Sequence, residues 1–325
     1  MTNTTEWITR SVSRLRSGAP STDKAPKASK PAADKPLADK QVADGAATKV
    51  PAPRSTHERL QATLRRGNES LSPRALRRLL ADLQDVVAPQ VSELEGGRRA
   101  QVVAGWYGQA EPEERRDMWL LLCEQFAPDA TRFQSARQRY EAAAGTADEG
   151  QAEISLRRAL VSPRTRLMQR FAVFPEGMRF LVDLRAELLP QLKSDKRLVA
   201  LDADLEHLFT TWFDVAFLEL RRLSWDSPAS LIEKLIKYEA VHDIRSWADL
   251  KNRLDSDRRC YGFFHPRLPN EPLIFVEVAL VDRISSSITP LLDEAAAPAD
   301  LKKATTAIFY SISNTQPGLR GVSFG

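Results

Sequence analysis

The pattern of apolar and polar positions changes character twice along the 325 residues. From Gly18 to Ser55 large apolar residues are almost absent, and Ala, Lys, Pro and Asp repeat loosely through "AADKPLADKQVAD". So little burial cannot offset the entropy of ordering, so residues 1–55 are expected to form a disordered basic tail. From Thr56 to Thr210 apolar residues recur at helical spacing. Ser72 and Pro73 supply a cap and a first-turn proline ahead of a stripe of Leu76, Leu79, Leu80 and Leu83, and Ser162 with Pro163 repeats the device. Trp106, Trp119, Leu121, Leu122 and Phe126 make another apolar face, as do Phe180, Leu181, Leu184 and Leu188 in "GMRFLVDLRAELLPQL". The pattern predicts an all-α bundle of seven or eight helices over residues 56–210, with the aromatic stripes as core.

Two more helices are expected before the pattern turns to strands. Ser227 and Pro228 would start "SPASLIEKLIKYEAVHDI", with Leu231, Ile232, Leu235 and Ile236 facing inward, and Ser246 with Asp249 resembles a capping box ahead of "SWADLKNRL". After Asp255, "RRCYGFFH" and "EPLIFVEVALV" read as an antiparallel hairpin joined by a Pro- and Asn-containing turn. The second strand is apolar at nearly every position, so it should be central and covered on both faces. A polar connection then leads to "TTAIFYSIS", another buried strand, which runs into a Gly-rich turn. The expected fold class is thus multidomain, an all-α bundle followed by the beginning of an α/β domain over residues 211–325.

Composition narrows the function classes. Residues 1–55 hold ten Lys or Arg against five Asp or Glu, which leaves the remainder near −1, so the overall charge of +4 belongs to the tail. A neutral folded part without a recognition motif argues against a nucleic-acid partner. No apolar run approaches the roughly 20 residues of a membrane span, since Glu277 interrupts the longest, so no membrane partner is expected. Cys123 and Cys260 have no metal-ligand spacing, and two distant cysteines fit a reducing compartment. The first seventeen residues, with Arg10, Arg14 and Arg16 among Trp7, Ile8, Val12 and Leu15, read either as a solvated tail or as a transit-like segment.

His57, His207, His242 and His265 lack metal-binding or nucleophile-activating spacing. His242 follows a helix whose C-terminal end would favour an imidazolium, and His265 ends a strand beside Pro266, as a turn residue or one near a pocket. The best functional feature is the ending "QPGLRGVSFG". Gly318 and Gly321 would let backbone approach a ligand, and N–H groups from Arg320 onward would point at an anion such as a pyrophosphate. An ordinary turn is the alternative.

Five ordered runs resemble malonyl-CoA decarboxylases: "GMRFLVDLRAELL", "SPASLIEKLIKYEAVH", "RRCYGFF", "NEPLIFVEVAL" and "AIFYSISNTQPGLRGV". The resemblance implies an N-terminal helical domain that mediates self-association, over 56–210, and a catalytic domain of acetyltransferase-like (GNAT) fold beginning at 211. It implies conversion of malonyl-CoA to acetyl-CoA and carbon dioxide, without metal or organic cofactor, by a dimer or tetramer in the cytoplasm or the mitochondrial matrix. The segment Arg320, Gly321, Val322, Ser323, Phe324 and Gly325 matches the family's malonyl-CoA contact. The family's catalytic serine, in a Ser-Pro-Ile-Pro segment, and its later histidine have no counterpart in this sequence. The chain is therefore expected to be a C-terminally truncated decarboxylase, inactive alone, whose last strand leaves an apolar face and edge uncovered. A non-catalytic helical oligomerisation or regulatory module and an acyl-CoA-dependent acetyltransferase are the alternatives.

Overall fold

A computed structural model describes residues 70–323, so the expectations for the 1–55 tail, His57, Phe324 and Gly325 lie outside the described residues. Among the described residues, eight α-helices occupy the first part: α1 (Pro73–Val86), α2 (Glu93–Gln109), α3 (Pro112–Gln125), α4 (Ala130–Ala143), α5 (Glu149–Leu160), α6 (Pro163–Phe171), α7 (Gly177–Leu188) and α8 (Val199–Trp212). Ser72 caps α1 by accepting from the Ala75 N–H, and Ser162 caps α6 by accepting from the Thr165 N–H. Pro73 and Pro163 sit at the first helical position, where the missing N–H costs nothing. Leu76, Leu79, Leu80 and Leu83 form the buried stripe of α1 and pack with Leu121, Leu122, Phe171, Leu181 and Phe209 in one large core. Helices α4 and α5 bury only Ala136 and Ala159, so this pair leaves most of its surface exposed.

The second part is a four-stranded antiparallel sheet in sequence order: β1 (Glu219–Leu223), β2 (Arg258–Phe264), β3 (Pro272–Val281) and β4 (Thr306–Asn314). Helices α9 (Ala229–Tyr238) and α10 (Trp247–Arg253) lie between β1 and β2 in the chain. They bury Ile232, Leu235 and Leu250 against Leu223, Cys260 and Phe275. The molecule is thus mixed helical plus a small antiparallel sheet. The expected β2–β3 hairpin is present, and β3 is central and covered on both faces along most of its length.

Two local expectations need correction, and one strand has no counterpart in the sequence reading. Strand β1 carries no apolar run; four of its five residues are exposed, and pairing with β2 makes it a strand. Strand β4 is not the buried strand its composition suggests; it is an edge strand with an uncovered apolar face, as expected for the last strand, with Phe309 at 56% and Ile312 at 60% exposure. Pro228, not Ser227, occupies the cap position of α9, because the Ser227 hydroxyl accepts from the Ser224 N–H and closes the preceding turn. The capping-box expectation at α10 holds in half: Ser246 accepts from the Asp249 N–H, whereas Asp249 accepts from the Arg245 N–H and from Arg253.

The helical part and the sheet share one core. Leu268, Leu273, Ile274, Leu319 and Val322 join the same apolar cluster as the helices. Arg267 donates to the carbonyls of Ala172 and Phe174 at 2.7 and 2.8 Å, which ties the β2–β3 turn to the end of α6. The His265 ring packs edge-on against Phe213 at 5.0 Å between centroids.

Candidate functional site

A cleft of about 860 Å³ opens where α7, the following 3₁₀ turn (Leu189–Lys193) and the segment after β4 meet. Its size is that of an ordinary small-molecule site. Arg320, Gly321 and Val322 form one wall, with Asn314, Thr315 and Gln316 beside them; Ala186, Leu189, Pro190 and Lys193 form the other. Of the expected contact residues, Ser323 is described but does not line this cleft.

The wall is built by the helical part. Arg185 of α7 is 1% exposed. It donates to the Gly318 carbonyl at 2.9 Å and to the Arg320 carbonyl at 2.8 Å, while Asp202 holds its Nε at 2.8 Å and Glu206 lies 3.6 Å away. Leu319 and Val322 are buried in the helical core. Gln316 donates to the Pro272 carbonyl at 2.9 Å and accepts from Arg179 at 2.6 Å. These contacts hold the segment at both ends and in the middle.

Gly318 has a different reason for being glycine than the sequence suggests. A Cβ there would overlap the Val182 carbonyl of α7, so its missing side chain admits a helix rather than a ligand. Gly321 has φ of +86°, the left-handed region that favours glycine, and it reverses the chain at the cleft. The amide expectation is also altered. The Arg320 N–H bonds to the Pro317 carbonyl and the Val322 N–H to the Leu319 carbonyl, so neither is free for an anion. The positive charge at the cleft comes instead from the side chains of Lys193 and Arg320, for which no ion-pair partner is found among the described residues. Among the described residues, no carboxylate lines the cleft.

A second polar cluster lies buried beside the sheet. Glu277, fully buried on β3, accepts from Arg253 at 2.9 Å, and Arg253 also donates to Asp249 at 2.7 Å and to the His242 carbonyl at 2.7 Å. Glu239 accepts from Ser311 at 2.7 Å and Ser313 at 3.1 Å, and from the N–H groups of Val241 and His242. Burial raises the Glu277 carboxyl to about 7; Arg253 opposes the rise and the Glu239 charge adds to it. Among the described residues, the Tyr310 hydroxyl and one Glu277 oxygen have no partner at hydrogen-bonding geometry. The only sequence signal for this cluster is an acid interrupting an apolar strand.

The described histidines take up structural or surface positions. Burial lowers the His265 pKa, and its Nδ1 accepts from the Arg267 N–H at 3.1 Å, so a neutral ring braces the junction of sheet and helices. His242 contributes its backbone to the Arg253–Glu239 network, and His207 is exposed on α8. Both cysteines are free thiols; burial raises Cys123 to about 11 and Cys260 well above its usual value, which makes both poor nucleophiles. Among the described residues no group of three or more His, Cys, Asp or Glu is placed to hold a metal ion. Sequence reasoning missed Arg185 and Lys193, which come to the terminal segment only through tertiary packing.

Comparison with known proteins agrees with this architecture. The family profile described as malonyl-CoA decarboxylase N-terminal domain matches residues 126–213, and the one described as malonyl-CoA decarboxylase C-terminal domain matches residues 216–325. The mitochondrial malonyl-CoA decarboxylase of Mus musculus is 35% identical over 239 residues, covering 70% of this chain and 49% of that protein. That of Anser anser anser is 42% identical over 175 residues, 52% of this chain and 35% of the relative. The chain therefore spans half or less of the length of these curated relatives. The solved malonyl-CoA decarboxylase from Rhodopseudomonas palustris superposes with a TM-score of 0.68 at 41% identity, over 77% of this chain and 60% of that one. The Agrobacterium vitis structure gives a TM-score of 0.70 at 38% identity, over 76% and 59%. Two adjoining domain profiles and these structural matches place both the helical part and the sheet in one lineage: the chain belongs to the malonyl-CoA decarboxylase family.

Proposed function

We propose that the protein serves the reaction malonyl-CoA to acetyl-CoA and carbon dioxide, and that Arg320 to Gly325 contact the coenzyme A thioester. The observation that carries this reading is the cleft: in a chain of this family, Arg320, Gly321 and Val322 of the segment expected to meet malonyl-CoA line a cavity that holds two unpaired cations and, among the described residues, no carboxylate. Loss of carbon dioxide from malonyl-CoA leaves an enolate on the thioester carbonyl, so the substrate supplies its own electron sink and the chemistry demands no organic cofactor. The developing oxyanion needs preorganised donors in a dry site, and the carbanion carbon needs a general acid. The residues of this chain do the binding part: Arg320 faces the phosphates, Gly321 turns the chain beside them, and Arg185 fixes both through the backbone.

In the same reading, the sheet belongs to an acetyltransferase-like (GNAT) domain beginning at 211, and residues 56–210 form a self-association domain that gives a dimer or tetramer. The compartment is the cytoplasm, with the mitochondrial matrix as the alternative. The test supplies carboxyl-labelled malonyl-CoA to this chain and to a version extended through the downstream reading frame. Equimolar acetyl-CoA and labelled carbon dioxide from the extended protein, with malonyl-CoA binding by both, is the expected result. Binding by neither would overturn it, and acetyl transfer to an amine without decarboxylation would favour the acetyltransferase reading.

A further inference from the structure

Lys193 is an exposed cation that lines the same cleft as Arg320, from the helical part of the chain. Its backbone is fixed: it ends the 3₁₀ turn Leu189–Lys193, where both the Ser194 and Asp195 N–H groups bond to the Gln191 carbonyl. Nearby acids are already neutralised. Asp195 accepts from Arg116 at 2.8 Å and Arg197 at 2.8 Å, and Glu187 accepts from Arg115 and from the Tyr107 hydroxyl, each at 2.9 Å. The Arg197 and Arg116 contacts hold the Asp195 carboxyl well below the usual carboxylate range, so it stays paired rather than claiming Lys193. An exposed ammonium on a flexible stem lining such a cleft suits a phosphate monoester, which carries a charge between about −1.5 and −2 near neutral pH.

Resting on the coenzyme A reading above, we infer that Lys193 is a second phosphate-binding residue, contributed by the helical part, which recognises the ribose 3′-phosphate while the Arg320 side chain takes the diphosphate. Two cations carried on separate elements around one cleft match a ligand with two separated phosphate centres, and a simple diphosphate nucleotide would leave Lys193 unused.

The test is a two-by-two titration of the protein and its Lys193→Gln variant with coenzyme A and 3′-dephospho-coenzyme A. The wild type should prefer coenzyme A by about five- to tenfold, the range of an exposed charge-assisted contact. Lys193→Gln should erase that preference without changing dephospho-coenzyme A binding, Lys193→Arg should keep it, and Arg320→Gln should weaken both ligands alike. Equal wild-type affinity for the two ligands, or a preference that survives Lys193→Gln, overturns the inference and leaves the coenzyme A reading intact. Binding of neither ligand by the wild type overturns both.

Discussion

Replacing Arg185 with methionine tests whether the helical part holds the terminal segment in place. The side chain is 1% exposed and meets four acceptors: Asp202, Glu206 and the carbonyls of Gly318 and Arg320. Methionine fills much of the volume but leaves a largely buried carboxylate and two carbonyls unpartnered. Breaking a buried ion pair from one side costs about 3–5 kcal/mol, and the orphaned carbonyls lie within that range rather than adding fully to it. For a chain this size the cost corresponds to a fall of about 10 °C in the unfolding midpoint. Chemical denaturation followed by circular dichroism measures the loss, and hydrogen exchange at Leu319 and Val322 reports the segment itself. Adding Asp202→Asn to the variant removes the stranded charge and should recover about 1–2 kcal/mol as a coupling energy. A single-variant cost under about 1 kcal/mol, with unchanged exchange at Leu319 and Val322, would refute the argument.

Two further predictions address the other features. Gly318→Ala forces a methyl into the Val182 carbonyl and should destabilise by about 3 kcal/mol or more, whereas Gly105→Ala, on an open face of α2, should stabilise by about 0.5–1 kcal/mol; similar melting temperatures for the two variants would contradict the packing assignment. Because burial holds the Glu277 carboxyl near 7, above its ordinary value of 4.5, the folded state binds its proton more tightly than the unfolded state does. Stability from this group is full below about pH 4.5 and falls as pH rises toward 7, by an amount on the order of 3 kcal/mol in all. Glu277→Gln should flatten that slope in urea titrations between pH 5 and 8, and an unaltered slope would show that another group sets it.

The amino-acid sequence alone determined the helices with strong periodicity and caps, because those depend on neighbours three and four residues apart: Ser72 and Pro73, Ser162 and Pro163, and the leucine stripe of α1 are all local facts. It also determined the β2–β3 hairpin and the central place of β3, since a run apolar at nearly every position requires cover on both faces. Family membership was legible too, because long ordered runs carry more information than any single spacing. Tertiary structure decided the rest. Strand β1 exists only through its pairing with β2, and β4 is half exposed because no described strand lies beyond it. Gly318 reads as a ligand glycine until α7 is seen against it. The cleft joins Lys193 to Arg320 across more than a hundred residues, and Arg185 reaches the terminal segment over a similar separation. No periodicity encodes such meetings; they arise when the apolar faces of the helices and the sheet close on a common core and carry their polar neighbours with them.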